Sequence, residues 1–286
     1  MKNMKKRVVA VVGPTASGKT AYAIELAKKI NGEIISADSR LVYKGFNILC
    51  AKPDEEEMQR IKHYLIDVVE PEVDYSVANY CDDAKIAIDE IISKGKTPIV
   101  AGGTGLYFRI LLEDFDMPRV APDYALRDEL EQKDTLELHK MLAELDERSA
   151  EKIHFNNKVK IIRALEICKI LGKPMSEVAG RRECEYDVEW IGLNFSDRAK
   201  LYERINLRVD KMLEKGAIEE TKQLLNRHGR ISNFVNTIGY REILSYLDGE
   251  KTREEAIDEL KKNSRHYAKR QLTWFRRNEL INWINY

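Results

Sequence analysis

The sequence predicts an α/β fold built on a parallel sheet, interrupted by a helical insertion. Three observations carry that reading. Short apolar strands alternate with helix-period segments through the first 117 residues, the pattern of βαβ units. A glycine-rich turn stands between the first strand and the first helix. From about Pro118 to Gly180 the period is helical, and strand character returns only at 188–195.

The elements follow in order. "RVVAVV" (7–12) is a short apolar strand, and "TAYAIELAKKI" (20–30) has helical spacing. "EII" (33–35) is the second strand and "YLIDVV" (64–69) the third. "DYSVANYCDDAKIAIDEIISKG" (74–95) reads as a helix starting near Ser76 and ending at Gly95. "TPIVA" (97–101) is the next strand. "ALRDELEQ", "LELHKMLAEL" and "KVKIIRALEICKIL" are helices of the insertion. "VEWIGLNF" (188–195) restores a strand, two long helical stretches follow, and "LINWINY" closes the chain as an edge strand.

The 286 residues hold one large domain or two modest ones. Apolar residues make up 43% and charged residues 34%, the balance of a soluble globular chain. A net charge of +0 leaves nucleic acid open, because overall balance can hide a local basic patch. The cysteines (Cys50, Cys81, Cys168, Cys184) lack C-x-x-C spacing and read as free thiols of a reducing compartment. The histidines His63, His139, His154, His228 and His266 show no metal spacing either. The basic start runs straight into the glycine-rich turn, with too short an apolar run for a secretory signal. No stretch has the apolar length of a membrane span. The expected location is cytoplasmic.

"GPTASGKT" (13–20) satisfies G-x-x-x-x-G-K-[ST] between a strand and a helix, the context that motif requires. The loop Gly13, Pro14, Thr15, Ala16, Ser17, Gly18, Lys19, Thr20 therefore cradles phosphates with backbone N–H groups and a helix N-terminus. Lys19 adds a point charge, and Thr20 offers a hydroxyl to Mg²⁺. The core is thus P-loop NTPase-like, although the motif does not say which phosphate compound binds.

Ligands of an open parallel sheet bind at the carboxyl ends of its strands. Three such ends border one cleft: the phosphate loop, "SADS" (36–39) and "GGTGLY" (102–107). Asp38 then faces the phosphates, either as a Mg²⁺ ligand through water or as a general base toward a second substrate. Asp is also a favoured helix cap, which is the competing structural role. Gly102 and Gly103 allow close backbone approach or form a tight turn, and Thr104 adds a hydroxyl.

"GPTASGKT", "ISADSRLVYKG", "AKPDEEE", "HYLIDVVEP", "YSVANY", "GGTGLY", "RALEI", "TIGYREILSYLDGE" and "AKRQLTWFRR" occur in this order over nearly the whole chain. In this the chain resembles bacterial tRNA dimethylallyltransferases, also called tRNA isopentenyltransferases. The resemblance implies transfer of a dimethylallyl group from dimethylallyl diphosphate to the exocyclic amine of the adenine 3′ of the anticodon. The tRNAs concerned read codons beginning with U. It implies that the phosphate loop holds the diphosphate leaving group, with Mg²⁺. Asp38 matches the catalytic base, Thr104 the threonine beside the leaving oxygen, and Arg208 the arginine that neutralises the diphosphate. By itself Arg208 reads as a solvated helix charge.

The resemblance also places tRNA against Asp38, Ser39, Arg40, Leu41 and Thr104, against Arg127, Lys160 and Arg163, and against Gly239 and Arg241 of "TIGYR". Residues 261–277 carry seven Lys or Arg and no acid, with aromatics interleaved. Lys269, Arg270 and Arg276 fit phosphate contacts there, while Trp274 and Phe275 fit core. The implied organisation is a catalytic core of residues 1–117 and 186–286, with tRNA-binding C-terminal helices. Residues 118–185 form a helical insertion that grips the anticodon stem, and the chain acts as a monomer. The sequence departs from the family at Asn156-Asn157-Lys158, where "NDP" is usual. It departs again at Leu49 and Cys50, where Gly and Thr are usual. No zinc-finger pattern of the eukaryotic relatives follows "WFRR".

Three other readings compete. A transferase acting on free adenine nucleotides would share the core but lack need of the basic helix. A small-molecule kinase would use Asp67 of "YLID" as its Mg²⁺ acid. A non-catalytic RNA module would not need Asp38 and Lys19.

Overall fold

The structure, a computed structural model, describes residues 5–113 and 115–286. The basic start (residues 1–4) and residue 114 lie outside them. Along the chain run β1 (Lys6–Val12), α1 (Lys19–Ile30), β2 (Gly32–Ala37), α2 (Glu55–Met58), β3 (His63–Tyr64), α3 (Val77–Ser93), β4 (Thr97–Gly102) and α4 (Gly105–Leu112). Next come β5 (Phe115–Asp116), α5 (Tyr124–Glu131), α6 (Thr135–Leu145), α7 (Glu147–Lys152), α8 (Lys158–Leu171), α9 (Met175–Val178) and β6 (Gly180–Arg181). The last stretch holds β7 (Tyr186–Asn194), α10 (Arg198–Glu214), α11 (Ala217–His228), α12 (Ser232–Val235), α13 (Tyr240–Leu247), α14 (Arg253–Phe275) and β8 (Asn282–Asn285).

The chain divides into two compact units, 1–112 with 185–286, and 113–184. The first contains a six-stranded sheet in the order β3-β2-β4-β1-β7-β8, with every neighbouring pair parallel. Its central strands are buried on both faces, as a parallel sheet covered by helices requires. Val9, Val11, Ile34, Ile99 and Leu193 meet Ala23, Ile24 and Ala27 of α1 on one face. A second apolar cluster joins Tyr43 and Phe46 to Phe234 and Tyr240, with ring centroids 4.9–6.2 Å apart. "LINWINY" is the edge strand expected: β8 pairs with β7, and Tyr286 N–H donates to the Asn194 carbonyl.

One strand is shorter than its sequence implies. The apolar run 64–69 pairs with β2 only at His63 and Tyr64. Leu65 and Asp67 adopt left-handed backbone (φ 61° and 56°), which no strand accommodates. The chain instead turns back, and Val68 and Val69 donate to the Val42 carbonyl.

The second unit is helical apart from the two-residue antiparallel pair of β5 and β6. Leu130, Leu138, Leu142, Ile161, Ile162 and Leu165 form its core. Asn157, one of the departures from the family pattern, caps α8 by accepting from Lys160 N–H. Glu166 is fully buried in α8 and clamped by two arginines. Arg127 Nε and Nη2 donate to its two oxygens at 2.8 and 2.9 Å, Arg163 donates a further bond, and the Asp123 N–H lies at 2.7 Å. Glu166→Ala is expected to destabilise this unit by about 3 kcal/mol, the low end for a broken buried pair because both arginines reach solvent. Urea unfolding of the full chain checks it; a loss under about 1 kcal/mol would make the clamp incidental.

Candidate active site

The cleft of the first unit lies at the carboxyl ends of β1, β4 and β2, which are neighbours in the sheet. It encloses about 1150 Å³. The phosphate loop leaves β1 at Gly13, where a Cβ would stand 2.6 Å from the Leu193 carbonyl oxygen; only glycine fits this crossing beside β7. Ala16 takes a left-handed φ of 62°, and Arg204 Nε donates to its carbonyl at 3.0 Å. Thr15, Ala16, Gly18, Lys19 and Thr20 line the cleft; Gly13, Pro14 and Ser17 are buried beneath it.

Lys19 Nζ donates to the Pro14 carbonyl at 3.1 Å. Arg208, from α10, donates to Thr15 Oγ1 at 2.7 Å, so a residue 193 positions away closes the loop. Lys19 and Arg208 are near enough for the Arg208 charge to act on the lysine, and Asp38 acts on both. Crowding by protein atoms and then the Arg208 charge lower Lys19 to about 8, against the pull of Asp38. Burial likewise lowers Arg208, and Asp38 again opposes it. The pair is prepared for a polyanion, which would relieve the repulsion.

No helix begins at Asp38. Its Oδ1 accepts from Arg40 N–H at 2.9 Å and closes a turn, while among the described residues Oδ2 carries no hydrogen bond. Thr104 Oγ1 accepts from Ser39 N–H at 3.0 Å, which ties the β2 and β4 ends together. Burial and then the Asp38 charge push the Tyr267 phenol up to about 12, so it stays protonated. The turn after β4 is stacked tightly on α14: a Cβ on Gly105 would meet Trp274 at 2.2 Å.

Among the expected nucleic-acid contacts, Asp38, Ser39, Arg40, Leu41, Arg241 and Arg270 line this cleft. Arg241 is half exposed and paired with Glu242, whose other oxygen accepts from Gly239 N–H at 2.7 Å. Lys269 and Arg276 face a separate pocket of about 440 Å³ at the ends of β7 and β8. Lys160 is exposed on the second unit, whereas Arg127 and Arg163 spend their guanidiniums largely on Glu166. Phe275 is core, packed edge-on to Phe108 at 5.6 Å. Of the other departures, Leu49 packs against Gly239, and burial then the Asp38 charge push the Cys50 thiol up. Sequence reasoning missed Gln271, Arg204 and Cys50 as cleft residues and noted Tyr267 only as an interleaved aromatic.

Asp67, the acid a kinase would need, is held by Lys52 and follows β3, which β2 and β4 separate from β1. The strands flanking β1 end at Gly102 and Asn194, neither of them acidic.

The family described as "IPP transferase" matches residues 41–278. A protein named tRNA dimethylallyltransferase from Acetivibrio thermocellus is 49% identical, covering 97% of this chain and 91% of that protein. One of the same name from Halalkalibacterium halodurans is 46% identical, covering 99% and 92%. The crystal structure of a full-length tRNA isopentenylpyrophosphate transferase from Bacillus halodurans superposes with a TM-score of 0.74 at 44% identity, covering 98% of this chain and 90% of that one. A eukaryotic dimethylallyltransferase acting on tRNA gives 0.80 at 31% identity, covering 94% and 70%.

Proposed function

This chain belongs to the IPP transferase family, and we propose that it transfers a dimethylallyl group from dimethylallyl diphosphate to tRNA. The acceptor is the exocyclic amine of the adenine 3′ of the anticodon, in tRNAs that read codons beginning with U. The observation that carries the reading is the pairing of Lys19 and Arg208 at the phosphate loop with Asp38 as the strand-borne acid beside it. A triphosphate-cleaving site of this fold uses an acid to hold Mg²⁺. Here Asp38 faces a cleft wide enough for a base, on the side where Tyr267 and Arg270 of the basic helix stand.

The chemistry follows from that placement. The bond between the allylic carbon and the diphosphate oxygen breaks, and its electron pair leaves with the diphosphate. Lys19, Arg208 and the loop N–H groups stabilise the charge that develops. Thr104 orients the bridging oxygen. The amine nitrogen bonds to the allylic carbon, and its proton passes to Asp38 Oδ2. Thr20 stands at the start of α1, and no group of three or more His, Cys, Asp or Glu able to hold a metal occurs among the described residues. That donor set fits an ion carried mainly by substrate phosphates and water, as Mg²⁺ is. Bound there, Mg²⁺ would neutralise charge on the leaving group.

The nucleic acid approaches through Arg40, Arg241 and Arg270 at the cleft and Lys160 on the second unit. No helix among the described residues is long and apolar enough to cross a membrane. We place the protein in the cytoplasm as a monomer. The test incubates the protein with Mg²⁺ and labelled dimethylallyl diphosphate plus either unmodified tRNA or AMP, with ATP replacing the diphosphate in a third tube. Label in tRNA alone supports the reading. Label in AMP, or consumption of ATP, overturns it.

Lys19 makes the site pH-sensitive. Its proton is held less tightly in the folded cleft than in an unfolded chain, so the free site loses charge as pH rises through about 8. Pyrophosphate affinity should then fall about tenfold per pH unit above that point. Lys19→Arg keeps its charge, so the ratio of the two dissociation constants isolates Lys19 from the ligand's own ionisation. A ratio flat from pH 7 to 10 would mean that Lys19 does not titrate there.

A further inference from the structure

Gln271 lies in the last turns of the basic helix α14, yet it is 5% exposed and turned inward. Its carboxamide spans two loops. Oε1 accepts from Thr15 N–H of the phosphate loop at 2.8 Å. Nε2 donates to the Gly103 carbonyl at 3.0 Å, at the end of β4 next to Thr104. No other side chain type of this length offers one acceptor and one donor in a fixed plane. The fit is close: a Cβ on Gly103 would lie 2.1 Å from Nε2. One turn earlier on the same face, Tyr267 lines the cleft, and three residues later Trp274 covers Gly105.

Thr15 is also the residue whose hydroxyl receives Arg208. Gln271 thus holds its backbone while Arg208 holds its side chain. The same amide fixes the loop that carries Thr104. The charges flanking it, Lys269 and Arg270, point to the surface and to the cleft.

We propose that Gln271 is the positioning residue of the reaction, setting the phosphate loop against the Thr104 loop so that the diphosphate and its bridging oxygen are aligned. Its carboxamide is engaged by the protein on both sides. It acts through Thr15 and Gly103, and it makes the basic helix and both loops one rigid piece. The inference rests on the transferase reading, and its test separates the two.

Gln271→Ala removes both hydrogen bonds and leaves the surface charges in place. Gly103→Ala pushes the amide off from the other side. Each is measured for melting temperature, pyrophosphate affinity with Mg²⁺, tRNA affinity, and kcat with both substrates saturating. A misalignment of about 1 Å costs about 10²-fold in rate; kcat in Gln271→Ala should fall by that order and pyrophosphate affinity should weaken, while tRNA affinity stays within twofold. The double variant should be no worse than Gln271→Ala alone, because the new Cβ then occupies vacated space. Rate and pyrophosphate affinity within twofold of the parent would overturn the proposal, as would a loss confined to tRNA affinity or additive losses in the double variant. If the parent makes no prenylated tRNA, the transferase reading fails, and the pyrophosphate affinities still decide whether Gln271 shapes the phosphate site.

Discussion

Asp38→Asn should abolish most transfer while leaving tRNA bound. A positioned general base contributes about 10²–10⁴-fold, and the rate in single-turnover reactions should fall by that order. The substitution is near-isosteric. Asn keeps an oxygen for the Arg40 N–H, so the turn after β2 survives. What it loses is the basicity of Oδ2 and the negative charge between two loops. That charge also supports the protonation of Lys19. Removing it lowers the lysine further, so the measurement belongs near pH 6.5, where Lys19 remains charged in both proteins. A fall in rate at that pH reports the base and not a weakened phosphate site. Near-normal single turnover would remove Asp38 from proton transfer and leave it a turn-forming residue.

The residues easiest to read in the sequence were those whose role is local. The phosphate loop is contiguous, and its flanking strand and helix are visible beside it. Asp38 and Thr104 lie within two residues of a strand end, so a parallel sheet brings them to one edge. Arg208, Tyr267 and Gln271 reach the same place from helices. Helical spacing shows which face is buried but not what it is buried against, so without the family resemblance Arg208 reads as a solvated charge and Gln271 as nothing in particular. The second unit shows the converse limit. The resemblance gives Arg127 and Arg163 as tRNA contacts, and helical spacing alone does not show that Glu166 is buried between them. Only the fold shows that the three share a buried clamp. The run 64–69 misleads for a third reason. Its composition favours a strand, but left-handed backbone at Leu65 and Asp67 is a property of the turn that Lys52 and Val42 impose from outside the segment.

Arg208→Ala should slow transfer and move the pH response in the direction opposite to Asp38→Asn. The guanidinium is one of two cations facing the position of the leaving diphosphate, and removing one such preorganised group costs about 10²–10³-fold in kcat. Its loss also frees Thr15 Oγ1 and loosens one of the two holds on Thr15. The electrostatic consequence is separate and has a definite sign. Arg208 is a cause of the lowered Lys19, second only to burial. Without it the lysine holds its proton more tightly, and the pH at which pyrophosphate affinity begins to fall should rise above about 8. In Asp38→Asn the same edge should fall, because a stabilising anion has gone. Opposite displacements from two substitutions on different elements require all three groups to share one field. Pyrophosphate titrations of the three proteins from pH 6.5 to 10 provide the comparison. Edges that coincide would mean that Arg208 and Asp38 act on the ligand independently of Lys19. An unchanged kcat in Arg208→Ala would return that residue to the solvated face of α10.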